Sequence, residues 1–161
     1  DKTLNDFLIE KRIYHPPSNR INSLISFGNM LLYSTLLNEI YKTRLSPFIS
    51  FLHELQENRY SLVLDISEIF KPIFIDRMII RMITLKMITK KDFKNVNGIH
   101  LLKDNSRKKL LQEYTDLLDK TIKVNSLNRE VSYKHLLRLE AYKYVKYITE
   151  EQDFSTFTVY K

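Results

Sequence analysis

Cysteine is absent from this chain of 161 residues, and glycine occurs only twice, at Gly28 and Gly98. Without cysteine, the chain has no disulfide, thiol nucleophile, zinc finger or iron–sulfur ligand. Walker loops and dinucleotide-binding loops need several glycines in one turn, so these two kinds of phosphate site are excluded as well. Charged residues interrupt every apolar run before it reaches membrane-spanning length. We therefore expect neither a nucleotide-loop enzyme nor a membrane partner.

Basic residues are what the sequence has in excess. The 26 lysines and arginines against 19 acids give a formal net charge of +7. A balance of this size favours a polyanionic partner such as nucleic acid. The abundance of Ile, Lys and Asn offers a second explanation, a lysine-rich composition that follows from AT-rich coding. Charge alone leaves both explanations open.

Apolar residues recur at helical spacing along most of the chain. The double proline at Pro16 and Pro17 blocks a helix, and Ser18 or Asn19 can cap the next one, which runs to about Tyr41. Further helices are predicted over residues 46–55, 61–89, 105–122 and 132–148, the last of them capped by Ser132.

Two features interrupt this helical pattern. Pro72 is expected to kink or divide the longest predicted helix. Residues 90–104 are predicted to form a polar connector with a turn at Asn97–Gly98, and Ile99–Leu102 can be briefly extended within it. The sequence therefore predicts an all-α fold, a single multi-helix domain over residues 1–161.

One histidine and two acids are the candidates for chemistry. His53 lies in the apolar frame Phe51-Leu52-His53-Glu54-Leu55, and Asp65 and Glu68 follow it, three residues apart on one predicted helix face. Carboxylates among apolar residues are costly to bury unless they pair or bind a cation. A hard divalent cation takes oxygen ligands, and one imidazole shifts the preference from magnesium toward manganese. Such an ion can assist phosphoryl transfer.

A purely structural explanation stays open at this point. The two acids can pair with Lys71, Arg77 or Arg81 in a salt-bridge network, which leaves His53 as a packing residue. Spacing alone favours this explanation, because the sequence has no metalloprotease motif, serine-elbow motif or acidic calcium loop.

Two linked segments resemble a known family. They are Leu45-x-Pro47-x-Ile49-x-Phe51-Leu52-His53-Glu54 and Arg59-Tyr60-Ser61-Leu62-x-Leu64-Asp65-Ile66-x-Glu68-Ile69-Phe70-Lys71-Pro72-x-x-x-Asp76-Arg77. Both are similar to the helical domain of the CRISPR adaptation integrases, the Cas1 family, and are most similar to its type I-B members. The resemblance covers nearly all of the chain.

The resemblance implies a metal site. The metal-binding histidine of the family falls on His53 and its second acidic ligand falls on Glu68, while Asp65 matches a nearby acid that supports the site. The implied cofactor is Mg²⁺ or Mn²⁺.

Four further residues are implied with less specific roles. Lys71, Arg77 and Arg81 are candidates for charge stabilisation or for contact with the DNA backbone, although each can equally hold the acids in place. Tyr33 lies on the helix that faces the site in the family, where it can orient substrate or simply pack. The basic residues of the last two predicted helices offer either a duplex track or a solvated face.

Two parts of the family pattern are missing. The first acidic ligand of the family, a glutamate, lies upstream of the element at Pro16 and Pro17, and no residue here occupies that position. The amino-terminal β domain, a sandwich through which the family dimerises, is also absent. We therefore expect the carboxy-terminal catalytic domain of a longer chain, inactive when isolated.

The activity that the resemblance implies is metal-dependent DNA endonuclease and integrase chemistry in CRISPR adaptation. A DNA 3′-hydroxyl attacks a phosphodiester in the repeat and inserts the spacer. The implied partners are double-stranded DNA (prespacer and CRISPR repeat), a second copy in a full-length homodimer, and a small Cas2-family subunit. The implied location is the cytoplasm of a prokaryote.

Two other functions remain open from the sequence. The domain can be a non-catalytic basic module for DNA binding or assembly, since its implied ligand set is incomplete. It can also be a helical scaffold whose charge reflects composition alone.

Overall fold

Helices form most of the structure, and two short hairpins interrupt them. The computed structural model describes Phe7, residues 19–49, 59–124 and 127–149, and Asp153. Within those residues the α-helices are α1 (Arg20–Ile40), α2 (Ser61–Phe70), α3 (Arg77–Thr84), α4 (Asp104–Asp119) and α5 (Tyr133–Ile148). A π-helical segment (Lys71–Asp76) joins α2 to α3, and a 3-10 turn (Lys90–Asp92) follows α3. None of these helices is both long and apolar enough to cross a membrane.

The expectation of an all-α fold is wrong. The described residues include the strands β1 (Phe93–Val96), β2 (Ile99–Leu102), β3 (Thr121–Val124) and β4 (Arg129–Ser132). Strand β1 pairs with β2, and β3 pairs with β4, each as an antiparallel hairpin. The fold is therefore helical with two small antiparallel sheets.

Local chemistry at the turn explains the first hairpin. Asn97 and Gly98 have positive φ angles of 52° and 81°, and a two-residue turn of this kind matches the twist of the paired strands that flank it. In the second hairpin, Ile122 does not extend α4, which ends at Asp119, but pairs with Val131 across the sheet. Four-residue strands are too short for their alternation to outweigh the helical spacing around them.

The predicted short helix over residues 46–55 is not present in its described part. Residues 46–49 form turns and irregular backbone, and the remainder of that prediction lies outside the described residues. The long helix predicted to reach residue 89 ends at Thr84.

Two predicted helix starts are confirmed by capping hydrogen bonds. The backbone N–H of Asn22 donates to Oδ1 of Asn19 at 2.9 Å, and the N–H of His135 donates to Oγ of Ser132 at 3.2 Å. Each side chain satisfies a backbone donor that the first turn of a helix leaves unpaired.

Pro72 divides the long helix, as the sequence predicts. Regular α-helix ends at Phe70, and the residues Lys71–Asp76 form a π-helical segment before α3 begins. Proline has no N–H to donate, and its ring clashes with the carbonyl group four residues earlier in an α-helix. Short π-helical segments inside α-helices are frequent at functional sites.

The described residues cluster into two compact units. The first contains those up to Leu31 together with Pro72–Thr115, and the second contains Leu32–Lys71 together with those from Asp116 onward. Each unit has its own apolar core. In the first, a Cβ atom on Gly28 would lie 2.7 Å from Cγ2 of Ile75, so the absence of a side chain on α1 admits the π-helical segment.

The second unit has a buried carboxylate between its first and last helices. The Glu39 side chain is fully buried, and Lys42 and Arg138 approach its two oxygens at 2.6 and 2.7 Å. Burial alone raises the pKa of a carboxyl group, but these two cations hold the pKa of Glu39 below its ordinary value of 4.5. The pair with Arg138 therefore ties α1 to α5 by a charged contact.

Replacing Gly28 by alanine is expected to destabilise the chain by about 1 kcal/mol. Overpacking costs about 1–3 kcal/mol, and the better helix propensity of alanine returns about 1 kcal/mol of that. The measurement is the free energy of unfolding from urea titration. The control is the same substitution in the Ile75→Leu variant, because leucine lacks the Cγ2 methyl group that would contact the new Cβ atom of residue 28. Gly28→Ala should cost less there, and an equal cost in both backgrounds contradicts the packing argument.

Replacing Arg138 by methionine is expected to lower the free energy of unfolding by about 2–3 kcal/mol at pH 7. Removing one partner of a buried ion pair costs about 3–5 kcal/mol, and Lys42 retains part of the compensation here. The carboxylate contributes its stability above pH 4.5 and loses it as the pH falls through its lowered pKa. The difference between Arg138→Met and wild type should therefore shrink in acid.

The matched control for this prediction is Lys134→Met. Lys134 lies on the first turn of the same helix, is exposed, and makes no ion pair with another described residue. Its replacement should change the unfolding free energy by less than about 0.5 kcal/mol. Equal losses in the two variants at pH 7 contradict a special role for Arg138.

Candidate functional site

Helix α2 carries both acids that the sequence singles out, but in different environments. Asp65 is 1% exposed, whereas the Glu68 side chain is 53% exposed. Residues three apart are about 60° apart around a helix, so they are neighbours that can still fall on opposite sides of the boundary between core and solvent. Of the two carboxylates, only that of Glu68 is accessible.

Glu68, Lys71 and Tyr33 form a small cluster in the second unit. The ammonium of Lys71 lies 2.5 Å from Oε1 of Glu68 and 5.2 Å from the centroid of the Tyr33 ring. Burial acts to lower the pKa of Lys71, but its contacts with Glu68 and Tyr33 outweigh burial and raise that pKa above the ordinary value. The ammonium of Lys71 is therefore fixed beside Glu68, and this is one pair of the salt-bridge network that the sequence offers as an alternative.

Asp65 faces a buried group on α5. Burial, then the charge of Glu140 and that of Asp65, raise the pKa of Tyr144 to about 12. Glu140 is itself 1% exposed, and one of its oxygens lies 2.9 Å from the ammonium of Lys143. Asp65 is thus packed near the buried polar side chains of Glu140 and Tyr144, within the second unit.

Glu140 and Tyr144 are site residues that were not predicted from the sequence. A signal was available, since Glu140 lies at the helical spacing of the buried apolar positions Leu136, Leu137 and Ala141. An acid in the middle of an apolar helix face indicates a buried charge with a partner.

The two arginines that the sequence offers as site residues lie on α3, in the first unit. The guanidinium of Arg81 forms an ion pair with Glu113 of α4, so its partner is neither of the two acids on α2. Arg77 is exposed and makes no ion pair with another described residue.

The predicted metal ligands lie partly outside the residues that the structure describes. His53 is outside the described residues, and among those that are described no three His, Cys, Asp or Glu side chains form a group that could hold a metal ion. Glu68 has the oxygen donors and the exposure that a hard divalent cation requires. The described residues therefore contribute one suitable ligand, not a whole site.

Comparison with known proteins shows one family throughout. The family model described as CRISPR associated protein Cas1 matches residues 1–116. A CRISPR-associated endonuclease Cas1 of Clostridium perfringens is 49% identical over 150 residues, which are 93% of this chain and 46% of that protein. The chain thus spans about half the length of the curated relatives it matches.

Solved structures share the fold. A Cas1 protein from Thermotoga maritima matches with a TM-score of 0.83 and 41% identity, over 91% of this chain and 45% of the other. A casposase bound to integration product matches with a TM-score of 0.79 and 25% identity, over 88% of this chain and 41% of the other. On these matches, the chain belongs to the CRISPR-associated protein Cas1 family.

Proposed function

We propose that this chain supplies the metal-binding part of a DNA endonuclease and integrase of CRISPR adaptation. The observation that carries the proposal is Glu68, an exposed acid on α2, within the residues that the family model matches. Its neighbours are the buried Asp65 and the ammonium of Lys71. The carboxylate offers oxygen donors to a divalent cation, and the lysine ammonium can stabilise the negative charge of a phosphodiester during transfer.

The proposed cofactor is Mg²⁺ or Mn²⁺, held by His53, by Glu68 and by a glutamate of the upstream domain. Such an ion supplies positive charge at the phosphodiester and lowers the pKa of the attacking hydroxyl. Because that third ligand lies outside this sequence, we propose that the 161-residue chain alone does not perform the reaction.

The chain's own residues take distinct parts in the proposed strand transfer. A DNA 3′-hydroxyl oxygen forms a bond to the phosphorus of a repeat phosphodiester, and the bond from phosphorus to the leaving oxygen breaks. Lys71 stays protonated through its contacts with Glu68 and Tyr33, so it can stabilise the negative charge on the phosphate. Tyr33 limits the positions open to that ammonium. Arg77, which is exposed, is proposed to contact the DNA backbone.

Partners follow from the same family. We propose double-stranded DNA as substrate, both as prespacer and as CRISPR repeat, a homodimer in the full-length protein, and a small Cas2-family subunit. The casposase match supports the integration step, since that protein is bound to integration product.

A non-catalytic basic module for DNA binding or assembly is the second candidate. The existing pair between Glu68 and Lys71 favours it, because a carboxylate already neutralised by a lysine needs no cation. An integration assay of the full-length protein distinguishes the two functions, because only the first of them includes catalysis.

In the full-length protein, His53→Ala and Glu68→Ala are each expected to abolish half-site integration of a labelled oligonucleotide into a supercoiled target. Duplex binding should persist, because it draws on many phosphate contacts rather than one ion. Asp65→Asn should lower the rate about 10–100-fold if Asp65 only orients the ligands. Lys71→Ala should weaken integration without eliminating it.

The matched control for these variants is Asp119→Ala, which removes an exposed acid from helix α4 and should leave integration unchanged. Unimpaired integration by well-folded His53→Ala protein would contradict the assignment of His53 as a metal ligand. Integration that is absent from the wild-type full-length protein supports the non-catalytic module instead.

Replacing each of the two acids of α2 should change the free energy of unfolding by a different amount, independently of catalysis. Glu68→Ala is expected to change the free energy of unfolding by less than about 0.5 kcal/mol, because its pair with Lys71 is exposed. Asp65→Ala is expected to lower the free energy of unfolding by about 1–3 kcal/mol, because the buried groups that Asp65 contacts lose their partner. Urea unfolding without metal measures both, and equal losses contradict the assigned environments.

A further inference from the structure

Most of the net positive charge lies in one stretch of the chain. Residues 90–109 contain seven lysines and arginines against two aspartates, which is +5 of the total of +7. All seven basic side chains are exposed, four of them at Lys90, Lys91, Lys94 and Lys103 and three at positions 107–109. The rest of the chain carries only +2, so the charge is localised rather than spread by composition.

This stretch folds into one continuous part of the first unit. It comprises the 3-10 turn, the hairpin β1–β2 and the first turns of α4, which together we call the basic hairpin surface (residues 90–109). Burial and Arg20 lower the pKa of His100 on β2, so this histidine is neutral at pH 7 and adds no charge.

Asp92 ties these elements together. Its carboxylate accepts hydrogen bonds from the backbone N–H of Thr89 at 2.8 Å and from Oγ of Ser106 at 2.7 Å, and the ammonium of Lys109 lies 3.6 Å away. Burial acts to raise the pKa of Asp92, but these hydrogen bonds lower it below its ordinary value. The acid is engaged within the fold, where it fixes the base of the hairpin against α4.

Lys103 makes two more hydrogen bonds that join the end of the hairpin to the 3-10 turn. Its backbone N–H donates to the carbonyl oxygen of Asp92 at 3.0 Å, and its ammonium donates to the carbonyl oxygen of Lys91 at 2.7 Å. The cations therefore stand on backbone that is already ordered, which reduces the conformational entropy lost when a ligand binds them.

We propose that the basic hairpin surface binds the phosphate backbone of double-stranded nucleic acid, independently of base sequence. A duplex carries one negative charge per about 1.7 Å of its axis, and the four-residue strands of the hairpin are about 13 Å long, so the surface matches several phosphates. Six of its seven cations are lysines, which bind phosphate as point charges. The proposal rests on the proposed function for the choice of DNA and adds the place where the duplex lies.

The test compares two triple variants of the full-length protein in EDTA, so that metal chemistry plays no part. One is Lys91→Gln/Lys94→Gln/Lys108→Gln on the basic hairpin surface. The control is Lys120→Gln/Lys123→Gln/Arg129→Gln, three exposed cations at the hairpin β3–β4. Both remove three positive charges, so total charge is matched. Fluorescence anisotropy of a labelled duplex at several salt concentrations gives the slope of log K against log salt.

Each phosphate contact contributes about 0.9 to that slope. The first triple variant should reduce the slope by about 2–3 and weaken binding at least tenfold in about 100 mM salt, whereas the control should reduce it by less than 1. Two duplexes of unrelated sequence should give the same result. Equal losses in the two variants, or an unchanged slope in the first, overturn the assignment.

Three further outcomes separate failure of the surface assignment from failure of the proposed function. If the first triple variant keeps duplex binding but loses self-association in size-exclusion chromatography, the surface binds an acidic protein face and the proposal is overturned. If it keeps duplex binding while Glu68→Ala abolishes integration, only the surface assignment fails. If wild-type protein binds no duplex even in about 50 mM salt, the proposed function fails with it.

Discussion

Buried carboxylates are the constraint on which the second unit depends. Glu39, Asp65 and Glu140 each expose 1% or less of their surface, and an unpartnered charge in that position would cost several kcal/mol. Lys42 and Arg138 compensate the first of them and thereby join α1 to α5. The buried apolar residues Leu62, Val63, Ile66 and Phe70 set the rotation of α2, which places Asp65 in the core and leaves Glu68 at the surface.

Helical spacing predicted most of the fold because helices here are long and amphipathic. The break at Pro72 and the cap at Ser132 follow from chemistry local to those residues, and both predictions are confirmed. The predicted turn at Asn97–Gly98 and the predicted extended stretch Ile99–Leu102 are confirmed as the turn and the second strand of the first hairpin. The pairing strand β1 and the second hairpin were not predicted, because four-residue strands carry little periodicity. Ile122 continues the apolar spacing of α4, yet it is paired in a strand with Val131.

The candidate site was predicted from sequence only where its contacts are local. The pair between Glu68 and Lys71 spans three residues and follows from helix geometry. The influence of Asp65 on Tyr144 depends on tertiary packing between α2 and α5, which no spacing rule gives. The partner of Arg81 on α4 was missed for the same reason. The role of His53 stays a prediction, since it rests on family resemblance and lies outside the described residues.

We propose that Glu68, the exposed acid of α2, is a metal ligand rather than one half of a surface salt bridge. Anomalous diffraction from crystals of the full-length protein soaked in manganese tests it most directly, because the signal locates the ion itself. We expect a peak at coordinating distance from the carboxylate of Glu68 and the imidazole of His53. A fully occupied manganese site elsewhere, with Glu68 still bound to Lys71, would contradict it.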